Sequence, residues 1–188
     1  MSIRMKAFIY IVFFFVIMAV LVLAVQRSII FPSFIKIEYN ETAENILRVT
    51  KSIDREIFHL DKLCHDWAAW NDTYDFIESR SGEYIVNNLL DEAFSSNNVN
   101  LMFFFKNDGS ISWGRVYDLE TEEPVVVDFL DVDKLDPSHI LISLSSSNGE
   151  EADKEKSGII DTSQGPMIFV SRPILRSDGS GPSRGVLT

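Results

Sequence analysis

The chain has 188 residues and a formal net charge of −11 at pH 7, a length that suits one domain of ordinary size. Residues 40–188 hold 13 basic and 27 acidic residues, a net charge of −14. Such an acidic segment repels phosphate backbones, so nucleic acid is excluded as an expected partner. Cys64 is the only cysteine, which excludes an internal disulfide and a cysteine-based zinc site within one chain.

The first predicted element is a membrane-spanning helix. The run Ala7–Val25 contains no charged residue and no proline, and at ~1.5 Å per residue it nearly spans a bilayer core of ~30 Å. A cleaved secretory signal is the alternative, but its apolar stretch is usually about 7–15 residues long and ends at a small-x-small site. We therefore expect a signal-anchor helix over residues 7–26 in the cell membrane. Arg4 and Lys6 favour a cytoplasmic location for residues 1–6, which leaves the remaining chain extracytoplasmic, either periplasmic or extracellular.

A juxtamembrane linker, residues 27–43, leads into a long amphipathic helix. Apolar residues recur there at steps of three and four, which predicts one stripe along a helix of about eight turns. The near-heptad spacing suits pairing of two copies, so we expect a homodimer through residues 28–60. Near the tryptophans the stripe is expected to pack on the chain's own sheet. The stripe consists of Ile46, Val49, Ile53, Ile57, Leu60, Leu63, Trp67, Trp70, Tyr74 and Ile77.

The second half of the chain has the pattern of an antiparallel sheet. VNLMFFFK is apolar on both faces, as a central strand is, and the following NDGS is a hairpin signal. Helices followed by strands indicate an α+β fold with helices packed on a five-stranded antiparallel sheet. The last strand stops at Thr188, so we expect it to be truncated and the chain to be a fragment. The predicted strands are 99–106, 111–119, 158–162, 167–175 and 184–188, and 145–157 is predicted to be a loop.

Three stretches resemble a known family. DWAAWNDTYDFI, NVNLMFFFKNDGSISWG and SRPILRSDGSGPSRGVL are similar, in order and spacing, to the fourth type of CHASE domain. The resemblance covers residues 44–188 and implies an extracellular sensory module of histidine kinases and cyclases, related to Cache and PAS-like sensors. It departs from the family pattern at Asn71, where an acid is common, and a second membrane helix and an output module are not seen in the chain.

The function that the resemblance implies is ligand sensing. We expect an extracytoplasmic input domain of a membrane-bound receptor of the histidine kinase or diguanylate cyclase type, which passes a ligand-induced change across the membrane. A membrane-tethered binding or adhesion domain without signalling output is the alternative. No nucleophile–base motif occurs in the chain, so we expect no enzymatic activity in this segment, whatever output module the full-length protein carries.

Aromatic residues are the first candidates for a ligand site. Trp67, Trp70 and Tyr74 share the predicted helix face, where they can form a pocket wall or seal the helix to the sheet. Both interpretations stay open at this stage. Phe103 and Phe105 share one face of the central strand and are expected to line the same cavity or to fill the core.

Arg172 and Asp72 are the polar candidates. Arg172 alternates with apolar residues in the strand MIFVSRPIL, and a buried arginine needs an anion. The anion is either an internal acid, such as Asp72, or a ligand group, which favours a small organic anion as the unknown ligand. Asp72 is expected to make a structural hydrogen bond or to contact that ligand. His65 has no histidine partner at a metal-ligand spacing, so neither a metal nor a cofactor is predicted.

Overall fold

The computed structural model describes residues 2–143 and 155–188. Residues 145–154 of the predicted loop therefore lie outside the described part of the chain. Two compact units are present, Met1–Ile53 and Asp54–Thr188. The α-helices are α1 (Ile3–Val25), α2 (Phe31–Ala68), α3 (Asn71–Ser79), α4 (Gly82–Asn88) and α5 (Asp91–Asn97), and the strands are β1 (Leu101–Lys106), β2 (Ile111–Asp118), β3 (Glu123–Val125), β4 (Lys156–Thr162), β5 (Gly165–Pro173) and β6 (Gly185–Leu187).

The first unit contains the apolar helix. Among the described residues one helical stretch, Ile3–Ala68, is long and apolar enough to cross a membrane by length and composition. No described side chain of α1 is buried in the protein. A π-helical turn, Gln26–Ile30, separates α1 from α2. Pro32 follows in the first turn of α2 and has no backbone N–H to donate, which is consistent with a widened turn at this point.

The long amphipathic helix ends earlier than its apolar stripe predicts. The prediction of one helix through Ile77 is wrong, because α2 ends at Ala68 and α3 begins at Asn71. Between them Trp70 has extended backbone angles, φ −110° and ψ 132°. The backbone N–H of Leu175 donates to the carbonyl oxygen of Ala68 at 3.0 Å, and so satisfies a carbonyl at the end of the helix.

A side-chain clasp holds the break in place. The backbone N–H of Asn71 donates to Ser177 Oγ at 3.2 Å, and the backbone N–H of Ser177 donates to Asn71 Oδ1 at 3.1 Å. Both bonds join the start of α3 to the loop after β5. The stripe is therefore divided between two helices, and residues beyond Ala68 no longer follow the α2 axis.

The sheet is antiparallel, as expected, but among the described residues it has six strands and not five. Its order is β3-β2-β1-β6-β5-β4, so the apolar strand β1 is internal, as its sequence predicts. The additional strand is β3, which pairs with β2 through Val116–Val125 and Tyr117–Pro124. Pro124 lacks a backbone donor and is tolerated because β3 is an edge strand. A three-residue strand that contains proline and glutamate has no alternating apolar pattern, which is why the sequence did not reveal it.

Side chains of β1 point alternately into two cores. Met102 and Phe104 contribute to the core beneath the helices, which also contains Cys64 and Ala68 of α2. Phe103 and Phe105 contribute to the core on the other face of the sheet. Among the described residues, α2 to α5 supply helical side chains to the first core, and on the other face the segment that connects β3 to β4 supplies Val127, Leu130, Leu135, Leu141 and Ile142.

Replacing Gly185 by alanine is expected to destabilise the sheet. An added Cβ would lie 2.0 Å from the carbonyl oxygen of Phe105, and neighbouring backbone in the sheet cannot move away easily. We expect Gly185→Ala to lower the free energy of unfolding by about 1–3 kcal/mol, the usual effect of overpacking. Urea denaturation followed by tryptophan fluorescence measures this. Gly82→Ala is the matched control, because its Cβ would meet nothing within 4 Å, and an equal loss in both variants would contradict the expectation.

Candidate functional site

A largely buried ion pair joins α2 to β5. Arg172 Nε donates to Asp61 Oδ1 at 2.7 Å and Arg172 Nη2 donates to Asp61 Oδ2 at 2.9 Å. The side chains are only 11% and 20% exposed. The expected need of Arg172 for an anion is therefore met inside the protein, but the prediction of Asp72 as its partner is wrong. Asp72 lies in α3, beyond the helix break, whereas Asp61 lies on the α2 face that packs on the sheet.

Further polar groups surround the guanidinium. Glu155 Oε2 lies 3.5 Å from Arg172 Nη2, and His65 Nδ1 lies 3.4 Å from Arg172 Nη1. With two carboxylates within 4 Å, the positive charge of Arg172 is compensated by protein groups. The guanidinium therefore does not need a ligand anion for charge compensation, and an organic anion as ligand stays a prediction.

Cys64 is buried beside this pair and contacts the strands directly. Its Sγ donates to the carbonyl oxygens of Leu187 at 3.4 Å and Val170 at 3.8 Å. Burial raises the pKa of the Cys64 thiol to about 12, so the thiol stays protonated at neutral pH and is a poor nucleophile. This cysteine therefore anchors the helix to the sheet and has no features of a reactive thiol.

The two tryptophans lie together in an aromatic cluster. Trp67 and Trp70 pack edge to face with ring centroids 6.5 Å apart, and Trp70 lies 6.0 Å from Tyr84. Tyr84 stacks on Phe76 at 4.3 Å, and its hydroxyl shares a 2.6 Å hydrogen bond with Thr73 Oγ1. Trp70 is 36% exposed and forms the rim of the cluster. The sequence did not single out Tyr84 or Phe76, because neither continues the apolar stripe that led to the tryptophans.

Tyr74 is buried away from the tryptophan pair. Its hydroxyl donates to the carbonyl oxygen of Pro182 at 3.1 Å. Above its ring, the guanidinium carbons of Arg184 and Arg176 lie 4.0 and 5.2 Å from the centroid. Tyr74 thus holds the loop between β5 and β6 by cation–π contacts and a hydrogen bond. Asp72 is exposed in the first turn of α3, where its negative charge is favourable.

A cavity of about 570 Å³ lies next to the ion pair, within the usual size range of ligand sites. Leu60, Leu63 and Trp67 of α2 form one side of it. The charged residues in its described lining are Glu56 and Asp118, and both are acidic. The further lining residues include Val99, Asn100, Leu101, Met102, Val127, Met167, Ile168, Phe169, Val170 and Thr188.

Of the residues that the sequence predicted as ligand-binding, only Trp67 is among the described residues that line this cavity. Phe103 and Phe105 stack on each other at 5.6 Å in the core of the opposite sheet face. Arg172 lies on the side of β5 that packs on α2, the helix that carries Trp67, but its guanidinium is hydrogen-bonded to Asp61. The structure therefore brings together only part of the predicted set. The described residues contain no group of histidine, cysteine or carboxylate side chains placed to hold a metal ion.

Comparisons with known proteins agree with this architecture. Residues 52–188 match the family model of the CHASE4 domain. A curated relative, the methanogenesis regulatory histidine kinase FilI of Methanothrix harundinacea (strain 6Ac), is 29% identical over 135 residues, which is 71% of this chain. The chain spans only 14% of the length of that relative.

A solved structure shares the fold. It is the extracellular domain of vpHK1S-Z8, a protein assigned to the histidine kinases, and it superposes with a TM-score of 0.58 at 15% identity. The match covers 81% of this chain and 56% of the other. At this identity the likeness concerns the fold alone.

Removing Asp61 is expected to destabilise the second unit. Asp61→Asn leaves the guanidinium of Arg172 without its bidentate partner in a largely buried place, and we expect a loss of about 3 kcal/mol, near the lower limit for a broken buried pair. Urea denaturation followed by tryptophan fluorescence measures the free energy of unfolding.

The matched control for Asp61→Asn is Lys134→Gln. Lys134 pairs with Asp108 at 3.2 Å, but the two side chains are 53% and 61% exposed, so solvent screens the pair and only a much smaller loss is expected. A loss in Asp61→Asn no larger than in this control would show that the ion pair does not hold α2 to β5.

Proposed function

Because the chain belongs to the CHASE4 family of sensor domains, we propose that it is the extracytoplasmic sensory input domain of a membrane-bound signal-transduction receptor. The proposed output module of the full-length protein is a histidine kinase or a diguanylate cyclase, in line with the histidine kinase relative. The proposed role of the domain is to convert occupancy of its cavity into a change in the position of α2.

One observation carries this proposal, namely the attachment of α2 to the sheet. Asp61 pairs with Arg172, and Cys64 donates to the carbonyl oxygen of Leu187. Two adjacent strands, β5 and β6, are thus tied to the same helix, whose residues Leu60 and Leu63 also line the cavity. An occupant that moves these strands therefore changes the contacts of α2 directly.

The acidic residues that line the cavity affect which charge of ligand is favoured. Glu56 and Asp118 are acidic, and hydrogen bonds from backbone N–H groups of Glu120 and Thr121 lower the pKa of Asp118, which keeps that carboxylate ionised. Like charges repel, so a neutral or cationic occupant is favoured over the organic anion that Arg172 suggested.

The membrane location and the dimer complete the proposal. The apolar helix α1 is proposed to anchor the chain, with Arg4 and Lys6 on the cytoplasmic side. Two copies are proposed to pair through residues 28–60. The exposed apolar side chains Ile46, Leu47 and Val49 of α2 support pairing, because such a stripe is otherwise left in water.

Breaking the ion pair is expected to change signalling. In the full-length protein with its output module, Asp61→Asn should alter basal kinase or cyclase activity at least about threefold, because α2 loses its strongest polar attachment to β5. Lys134→Gln should leave the activity unchanged. Autophosphorylation or cyclic dinucleotide synthesis in isolated membranes measures this, and equal activity in all three proteins, with membrane levels matched, would overturn the proposed coupling.

A cysteine at position 49 tests topology and pairing together. Disulfides form in oxidising extracytoplasmic compartments and rarely in the cytosol, and Cys64 is buried. We expect Val49→Cys to give a cross-linked dimer in cells without added oxidant. Lys51→Cys, on another face of α2, should cross-link several-fold less. Cross-linking only after an oxidant is added to membranes would contradict the extracytoplasmic location, and its complete absence would contradict the dimer.

A further inference from the structure

The chain contains two Asn-x-Thr triplets, Asn40-Glu41-Thr42 and Asn71-Asp72-Thr73. An asparagine in such a triplet, with any residue except proline between it and the hydroxyl residue, is the acceptor of N-linked oligosaccharides in secreted chains. The triplet pattern is short and also occurs by chance. The surroundings of each triplet in the fold therefore decide which one can be modified.

The first triplet lies on the part of α2 that belongs to the first unit. Every described residue from 2 to 52 is exposed. The hydroxyls of Thr50 and Ser52 donate to carbonyl oxygens four residues back in the helix. In the described part of the chain, neither the amide of Asn40 nor the hydroxyl of Thr42 makes a hydrogen bond. Both reacting side chains of the first triplet are therefore open to an enzyme.

The second triplet is closed by the fold of the second unit. Thr73 is fully buried, and its Oγ1 shares a 2.6 Å hydrogen bond with the hydroxyl of Tyr84. Asn71 is tied to Ser177 by two hydrogen bonds. The hydroxyl that a modifying enzyme requires is thus out of reach unless α3 unpacks.

Modification also requires a change in backbone conformation. Side chains two residues apart point about 200° apart around an α-helix, but they point to the same side of an extended strand. An enzyme that contacts the Asn40 amide and the Thr42 hydroxyl together therefore needs the helix to open locally. The residues around Asn40 are all exposed, so opening there breaks helical hydrogen bonds without exposing a core, and such segments open at small cost.

Asn40 lies clear of the predicted membrane span and away from the apolar stripe. At ~1.5 Å per residue the helix rises about 21 Å from residue 26 to Asn40, which exceeds the head-group layer of about 5–8 Å. Asn40 is nine positions before Val49, which is about half a turn around the helix. Thr42 is one heptad before Val49 and lies on the stripe itself. An oligosaccharide at Asn40 therefore leaves the stripe free for pairing, provided that attachment precedes pairing.

We propose that Asn40 is an N-glycosylation site. The Asn40 amide nitrogen, Nδ2, forms a bond to the anomeric carbon of the sugar, while the bond from that carbon to the phosphate of a lipid-linked oligosaccharide breaks. The amide gives up one proton to the transferase, and the lipid phosphate leaves. This inference rests on the proposed extracytoplasmic location, because the attachment takes place on exported segments of a chain.

Expression in a host with an oligosaccharyltransferase that recognises Asn-x-Thr, and in the same host without it, tests the site. A flexible Gly-Ser linker that ends in Asn-Gly-Thr is added after residue 188 as a positive control. In the host with the transferase, we expect peptide mass spectrometry to find an oligosaccharide on the peptide that contains Asn40. Asn40→Gln and Thr42→Val should lower its occupancy at least about tenfold, whereas Thr42→Ser should retain it, because serine keeps the acceptor hydroxyl.

The added tag separates two kinds of failure. A modified tag together with an unmodified Asn40 would overturn the glycosylation site and leave the extracytoplasmic location supported. An unmodified tag, in cells that modify a secreted reporter, would contradict the extracytoplasmic location and with it the site. Sugar that persists on the Asn40 peptide of Thr42→Val would also overturn the site, because the triplet would not be what the enzyme recognises.

Purified chain tests the contrast between the two triplets. Protein from the host without the transferase, in detergent micelles with one chain each, is incubated with the transferase and its lipid-linked oligosaccharide. We expect Asn40 to gain the sugar at least about tenfold faster than Asn71, because Thr73 stays buried under α3. Equal rates at the two asparagines would contradict the role of local opening at Asn40.

Discussion

The guanidinium of Arg172 lies on the side of β5 that faces α2, and the carboxylate of Asp61 offsets the cost of burying its charge there. A largely buried positive charge is stable only when paired and hydrogen-bonded, and the bidentate bonds fix both the distance and the orientation of the two elements. Cys64 and Ala68 follow at one-turn intervals along the same face of α2. They bond the backbone of Leu187 and Leu175, so the ion pair is the first of three attachments in line.

The end of α2 is a consequence of the same arrangement. The carbonyl oxygen of Ala68 is bonded to the backbone after β5, and α2 does not continue straight through Trp70. The clasp between Asn71 and Ser177 instead starts a new helix. The turn directs Trp70 toward Tyr84, and it leaves Tyr74 to stack with the arginines of the loop between β5 and β6. The stretch from Trp70 to Tyr74 therefore contributes to two separate packing sites, one around Tyr84 and one beneath the two arginines.

The local sequence pattern predicted the helices and strands better than it predicted which residues contact one another across the fold. The apolar run of β1 and its hairpin were predictable because backbone pairing and turn chemistry act over a few residues. The break after Ala68 was not, because Trp70 and Tyr74 keep helical spacing and the clasp joins residues 106 positions apart. The requirement of Arg172 for an anion was predictable, but the choice of Asp61 over Asp72 depends on how α2 lies on β5. The shared face of Phe103 and Phe105 was correct, yet only the sheet order shows that it lies opposite to α2.

Strand β5 both lines the cavity and carries Arg172. Arg172 anchors one end of this strand to α2, while Ile168 and Val170, further back along it, line the cavity. In the proposed receptor, an occupant that contacts Ile168 and Val170 restricts β5 close to Arg172, and the two hydrogen bonds to Asp61 carry that restriction to α2. Under this proposal, occupancy and helix position are coupled through the stretch of β5 from Ile168 to Arg172.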